Sequence, residues 1–265
     1  MAPKAPVSLA ACMAEYNAMT LFVVFGCGSA MGVDGTPGET THTLPGWVLM
    51  VSLAFGLTIT ALAYTHGHHS GGHINCAVTL GLVLAGHCDP VQGAANFAAQ
   101  LLGSIMGAII LCIMYPKKLD QTGGLGSNGV GADWAWYNAF AGEVMGTFLL
   151  MTVVLQTACS SKSEGNRVQA AMAIGFAVFI AHVVLIPIDG CSINPTRSFG
   201  PAVVSSIRSP ESADLRWKDM WIFWVGPLFG VAIAAAHYRA MERLSAPVYA
   251  QAADEEQPKL QAETE

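Results

Sequence analysis

Six stretches of roughly twenty mostly apolar residues alternate with short polar ones along the chain, at 9–31, 47–64, 94–115, 139–159, 168–188 and 220–238. That length lets an α-helix cross a hydrocarbon layer of about 30 Å, so the pattern predicts six membrane spans. Two further apolar stretches, 76–85 and 195–206, are too short to cross, and each opens on an asparagine: Asn75 in HINCAVTLG and Asn194 in SINPTRSFG. Asparagine caps helix N-termini well and good helix formers follow it here. Each stretch therefore predicts a half-length helix, re-entrant or buried in a bundle.

The order of these stretches repeats. The first span carries AEYNAMTLFVVF with Glu15 and Thr20, and the fourth carries GEVMGTFLLMTV with Glu143 and Thr147. Each half then runs through a second span, an Asn-headed half-helix and a third span. Three spans is an odd number, so the second copy enters the membrane from the opposite face, which makes an inverted repeat whose equivalent parts meet near the midplane. Irregular backbone at that depth survives only where protein buries it or water lines it. Two half-helix N-termini meeting there, each with about half an elementary charge of positive dipole, predict a polar cavity on the pseudo-twofold axis. Glu15 and Glu143, one per half, are read as acceptors for main-chain N–H groups freed before each half-helix. A proton relay is the alternative for intramembrane carboxyls, but no further acidic residue in the predicted spans continues one.

Composition agrees with a membrane as solvent: 53% of the 265 residues are apolar and only 11% are charged, too greasy for an ordinary soluble domain. Lys4 is the only cation before the first span, and Glu15 lies within that span, so a cleaved signal is not expected. Glycines four apart, at Gly28/Gly32, Gly103/Gly107, Gly142/Gly146 and Gly226/Gly230, allow close helix crossings. The seven cysteines include no CxxC pair, so neither a disulfide framework nor a zinc site is indicated. THGHHSGGH, with His66, His68, His69 and His73, reads as a glycine-rich loop; a metal cluster is disfavoured because no Cys or acidic partner stands nearby. Titration of these imidazoles near pH 6.5 keeps a pH effect open.

Taken together, the paired Asn-headed stretches, the two span glutamates, FGLTITALAYTHGHHSGGHINCAVTLG and GCSINPTRSFGPA resemble the aquaporin, or major intrinsic protein, family over residues 9 to about 243. The resemblance implies an all-α membrane protein of six transmembrane helices and two re-entrant half-helices in an inverted repeat, assembled as a homotetramer with one pore per subunit. It implies a pore centre made by Asn75, Cys76 and Ala77 with Asn194, Pro195 and Thr196, the asparagine amides donating to passing water. It implies an outer selectivity filter of Phe55, His182, Cys191 and Arg197, with His73 in the cytoplasmic vestibule. An aromatic ring and an imidazole in the filter, and Ser198 rather than Asp after Arg197, resemble the water-selective branch. Mercury bound at Cys191 is then expected to block the pore. Both termini are expected in the cytoplasm and the plasma membrane is the expected location, although six cations inside against five outside give a weak positive-inside bias.

The chain departs from the family motif at two places, Cys76 where Pro is usual and Thr196 where Ala is usual. Proline suits a first helical position because its φ is preset and its missing N–H had no helical partner; cysteine restores that N–H and adds a thiol. The expected organisation is an N-terminal segment 1–8, a channel domain 9–243 with repeats 9–115 and 134–243, and an acidic, disordered tail 244–265. The function read from these features is a passive water channel in a lipid bilayer that excludes protons and ions. A wider pore for glycerol or hydrogen peroxide is the alternative within the class, and a secondary transporter the alternative outside it. No enzyme activity, cofactor, metal or nucleic-acid partner is expected.

Overall fold

The computed structural model describes residues 7–32 and 46–262, with side chains through Ser245. Among them, six helices are long and apolar enough to cross a membrane. We label the helices α1 (Leu9–Gly32), α2 (Trp47–Ser70), α3 (Cys76–Ala85), α4 (Pro90–Met114), α5 (Trp136–Cys159), α6 (Ala170–Asp189), α7 (Pro195–Arg208) and α8 (Ile222–Ala262). The half-helices α3 and α7 are the two short elements of the sequence pattern, and α7 runs two residues past its expected end.

Local signals start and stop these helices. Ser8 caps α1 by accepting from Ala11 N–H, and Asp89 caps α4 at Val91 and Gln92 with Pro90 in the first turn. The run read as a histidine loop is instead helical as far as Ser70, because nothing in THGHHS breaks a helix; Gly71 at φ +87° ends it. His68 and His69 stand in that last turn, where cationic or donor side chains suit the helix C-terminus. The four histidines do not gather around one point: His66 is buried against Asn17 and the Leu62 carbonyl, while His73 lies beyond the helix, bonded to Thr79.

The packing has the polarity expected in lipid. Ile113, Leu102, Leu57 and Phe25 face outward and are exposed, whereas Glu15, Glu143, Asn96, Gln100 and Thr147 are fully buried. Helix crossings are close and related between the repeats. A Cβ at Gly103 of α4 would meet the Tyr16 carbonyl of α1, and one at Gly230 of α8 would meet the Val144 carbonyl of α5. Thr20 uses the first of these crossings to donate from its hydroxyl to the Gly103 carbonyl at 3.1 Å. Small residues here let backbones approach within reach of side-chain hydrogen bonds.

Residues 1–6 of the N-terminal segment lie outside the described residues, as do 263–265 of the tail. The rest of the tail is described as helical to Ala262, continuous with α8. Ala, Gln, Glu, Lys and Leu, all strong helix formers, make up most of that stretch, interrupted by Pro247 and Pro258.

Candidate functional site

The site grows from two strained residues. Ile74 and Ile193, each immediately before a capping asparagine, have φ of +52° and +45°, a region that β-branched residues rarely occupy. The span glutamates hold them there. Glu15 accepts from the main-chain N–H groups of His73 (2.8 Å) and Ile74 (2.7 Å), and Glu143 from those of Ser192 (2.7 Å) and Ile193 (2.6 Å). Glu15 also accepts from Ser70 and from Gln100 of α4. Buried N–H groups left without acceptors would otherwise cost about 1–3 kcal/mol each.

The consequence is a cross-repeat clasp. Asn75 Oδ1 caps α3 at Ala77 and Val78, and its amide Nδ2 donates to the Ile193 carbonyl at 2.7 Å. Asn194 Oδ1 caps α7 at Arg197, and its Nδ2 donates to the Ile74 carbonyl at 2.8 Å. The two N-termini therefore abut, each asparagine held by the strained isoleucine of the other repeat. Each amide has two protons; one goes to the isoleucine carbonyl and the second remains to be donated. Pro195, Ala77 and Cys76 are all buried beside their asparagines. Cys76 lines an apolar crevice between α3, α4 and α8, with Phe97, Trp224 and Leu228, and lines neither of the cavities described next.

Those two cavities reach the centre from opposite sides. One, of about 190 Å³, is lined by apolar side chains including Ile59, Leu150 and Val178, together with His73, Asn75 and Asn194. The other, of about 430 Å³, is lined by Trp47, Phe55, Gly126, Gly190 and Arg197. Between them stands a constriction. The Phe55 and His182 rings stack with centroids 4.3 Å apart, and Arg197 Cζ sits 5.1 Å from the Phe55 centroid. Cys191 is fully buried with φ +52°, and its neighbour Gly190, rather than Cys191 itself, lines the larger cavity.

The polar atoms of the constriction are asymmetrically satisfied. His182 Nδ1 lies 2.8 Å from the Val178 carbonyl, so a neutral ring carries its proton there and presents Nε2 as an acceptor. Nε2 has no hydrogen-bond partner among the described residues, and neither does Arg197 Nε. Arg197 Nη1 donates to the Gly126 carbonyl (2.9 Å) and Asn128 Oδ1 (2.6 Å). Among the described residues its guanidinium forms no ion pair, so its charge is hydrogen-bonded but not neutralised. At the other end His73 Nδ1 meets Thr79 Oγ1 at 3.1 Å, and burial, partly opposed by Glu15, lowers its imidazole pKa below the usual value.

Three contributors escaped the sequence reading. Asn128, in the loop between α4 and α5, bridges Arg197 and Ser198; a loop asparagine gives no sign of its target. Gln100 was detectable as a polar side chain in an apolar span, and it joins Glu15 to Thr79. Asp189 accepts from the Cys191 N–H at 2.9 Å, holding the turn before α7.

An all-helical bundle with two half-helices joined at their N-termini between two cavities defines a multi-pass membrane protein of the channel-forming type. The model of the family described as Major intrinsic protein matches residues 3–238, and the chain belongs to that family. It is 36% identical over 225 residues to aquaporin-4 of Rattus norvegicus, covering 85% of this chain and 65% of that protein. It is 40% identical over 205 residues to aquaporin PIP2-4 of Oryza sativa subsp. japonica, covering 76% and 69%. The chain thus spans about two thirds of the length of these relatives, slightly less for aquaporin-4. The X-ray structure of the aquaglyceroporin from Plasmodium falciparum shares the fold, with a TM-score of 0.75 at 20% identity over 87% of this chain and 95% of that one.

Proposed function

We propose that this protein is a passive water channel, conducting water in single file through each subunit and excluding protons and ions. The observation that carries the reading is the pair of Asn75 and Asn194 amides, each with a proton left to donate, lying on one cavity immediately behind a constriction of Phe55, His182 and Arg197. A water whose oxygen accepts from both amides turns its hydrogens away from them, so it cannot accept a proton from a neighbour and a proton wire is interrupted there. The two helix N-termini add positive potential at the same point.

In the constriction, His182 Nε2 and Arg197 Nε are a buried acceptor and a buried donor without partners among the described residues; in this reading they are the groups with which a passing neutral water exchanges hydrogen bonds at little net cost. A charge in a transmembrane region costs roughly 2.5–3.5 kcal/mol on insertion scales; at Arg197 the carbonyl and amide oxygens around the guanidinium offset that cost and leave its field acting on the path. Cations meet that field together with the loss of their hydration. The close Phe55–His182 stack supports water rather than a polyol as permeant.

The reading assigns the pore centre to the first turns of the two half-helices, where Asn75 and Asn194 face the cavity and Cys76, Ala77, Pro195 and Thr196 pack behind them away from the permeant, the filter to Phe55, His182 and Arg197 with Cys191 buried beside them, the inner vestibule to His73, and the scaffold to Glu15 and Glu143. It takes residues 9–243 as the channel domain, the assembly as a homotetramer, and the location as the plasma membrane with both termini cytoplasmic. Osmotic shrinkage of proteoliposomes tests it: water efflux well above that of protein-free liposomes is expected, with glycerol and peroxide flux and proton leak close to background. Saturable or proton-coupled flux would sink it in favour of a transporter, and a glycerol rate approaching that of water in favour of the wider pore.

A further inference from the structure

Cys76 and Thr196, the two departures from the family motif, touch each other. The main-chain N–H of Cys76 donates to Thr196 Oγ1 at 3.4 Å, and the Thr196 hydroxyl donates to Asn194 Oδ1 at 2.7 Å. Asn194 Nδ2 in turn donates to the carbonyl of Ile74, two residues before Cys76. The four groups close a ring of hydrogen bonds around one pore asparagine.

Each member of the pair needs the other. Proline at 76 would supply no N–H, and alanine at 196 would supply no hydroxyl. With cysteine but no hydroxyl, a buried N–H at the start of α3 would lose the acceptor it has here. The other repeat has no counterpart: Pro195 lacks an N–H, Ala77 lacks a hydroxyl, and Asn75 Oδ1 accepts main-chain N–H groups only. Because Thr196 Oγ1 accepts from Cys76, its proton is directed at Asn194. An amide flipped by half a turn would set its NH₂ against that O–H and against the Arg197 N–H, donor facing donor.

We propose that Thr196 is a positioning residue that reinforces the orientation of the Asn194 amide set by the Arg197 cap and the Ile74 carbonyl, and that the Cys76 N–H is what orients the Thr196 hydroxyl, so that the two act as one unit. This rests on the channel reading above. The role belongs to the main chain of Cys76, so its thiol is dispensable for it.

The test is a double-variant cycle in proteoliposomes, with fluxes normalised to the number of reconstituted channels. Thr196→Val and Cys76→Pro are each expected to lower water permeability about fivefold, the scale of one hydrogen bond. The double variant is expected to lose about fivefold again and not the product of about 25-fold, because the second change removes nothing that the first has left. Thr196→Ser and Cys76→Ala retain the hydroxyl and the N–H and are expected to rescue. Proton leak above that of protein-free liposomes should rise in Thr196→Val and Cys76→Pro; mere loss of folded channels lowers the water flux and leaves the leak at background.

Multiplying effects in the double variant, wild-type behaviour of Thr196→Val, or a Cys76→Ala channel that behaves like Cys76→Pro would each overturn the proposal. If wild-type liposomes carry no water flux above background, the channel reading fails by itself. The same cycle read in thermal unfolding midpoints then still decides the pairing, additive shifts counting against it and a saturating shift for it.

Discussion

Replacing Glu15 with alanine probes the scaffold under the pore most directly. Glu15 accepts from four donors: Ser70 Oγ (2.6 Å), His73 N–H (2.8 Å), Ile74 N–H (2.7 Å) and Gln100 Nε2 (2.6 Å). Two of these can adapt. The Ser70 hydroxyl can rotate, and Gln100 already reaches Thr79 Oγ1 at 3.2 Å. The two main-chain donors cannot move without unwinding the turn that places Ile74 at φ +52° and Asn75 at the start of α3. At about 1–3 kcal/mol for each orphaned buried donor, Glu15→Ala should cost roughly 2–6 kcal/mol. For a chain of this size that is a fall of about 5–20 °C in the unfolding midpoint. Glu15→Gln keeps one oxygen acceptor but turns an NH₂ toward the second N–H, so it should fall between alanine and wild type. Among the described residues Glu143 accepts from two main-chain donors, so Glu143→Ala should cost no more than Glu15→Ala. Thermal unfolding in detergent, with stopped-flow light scattering on reconstituted channels, measures both consequences. A Glu15→Ala protein that melts within a degree or two of wild type and conducts water normally would refute the view that this carboxyl holds the turn.

Removing the charge of Arg197 with valine should admit cations: at about 5 Å and an effective dielectric near 20 a unit charge contributes roughly 3 kcal/mol, about a hundredfold in flux, read as proton or potassium leak from proteoliposomes. Mercury should block water flux in the wild type and not in Cys191→Ser, and because Cys191 is fully buried the block should develop over minutes of exposure and not at once. Burial lowers the pKa of His73 below the ordinary value near 6.5, so water permeability should stay flat from pH 7.5 down to about 6.5. The sign for stability follows: an unfolded chain takes up this proton first, so acidification below about pH 6.5 weakens the fold, and a His73→Gln protein should lose less of its unfolding midpoint between pH 6.5 and 5 than wild type.

Much of this molecule was legible from periodicity and chemistry along the chain. Apolar stretches long enough to cross a bilayer marked the spans, and an asparagine followed by helix formers marked both half-helices, because capping and bilayer thickness act on consecutive residues. The odd number of spans per half required the two copies to oppose each other. The glycines of the histidine stretch suggest a turn from Thr65 onward, whereas Gly67 sits within α2 and the chain turns only at Gly71 and Gly72, both at positive φ.

What the linear order left undetermined was every relation between groups far apart in it. That Glu15 reaches Ile74 and Glu143 reaches Ile193, that Asn75 clasps the second repeat and Asn194 the first, that Asn128 braces Arg197 from a loop, and that Cys76 meets Thr196 across 120 positions are all outcomes of packing two inverted halves together. The physical reason is that hydrophobic length and helix capping are set by neighbours in sequence, while the partner of a buried donor is whichever acceptor the bundle brings within about 3 Å of it.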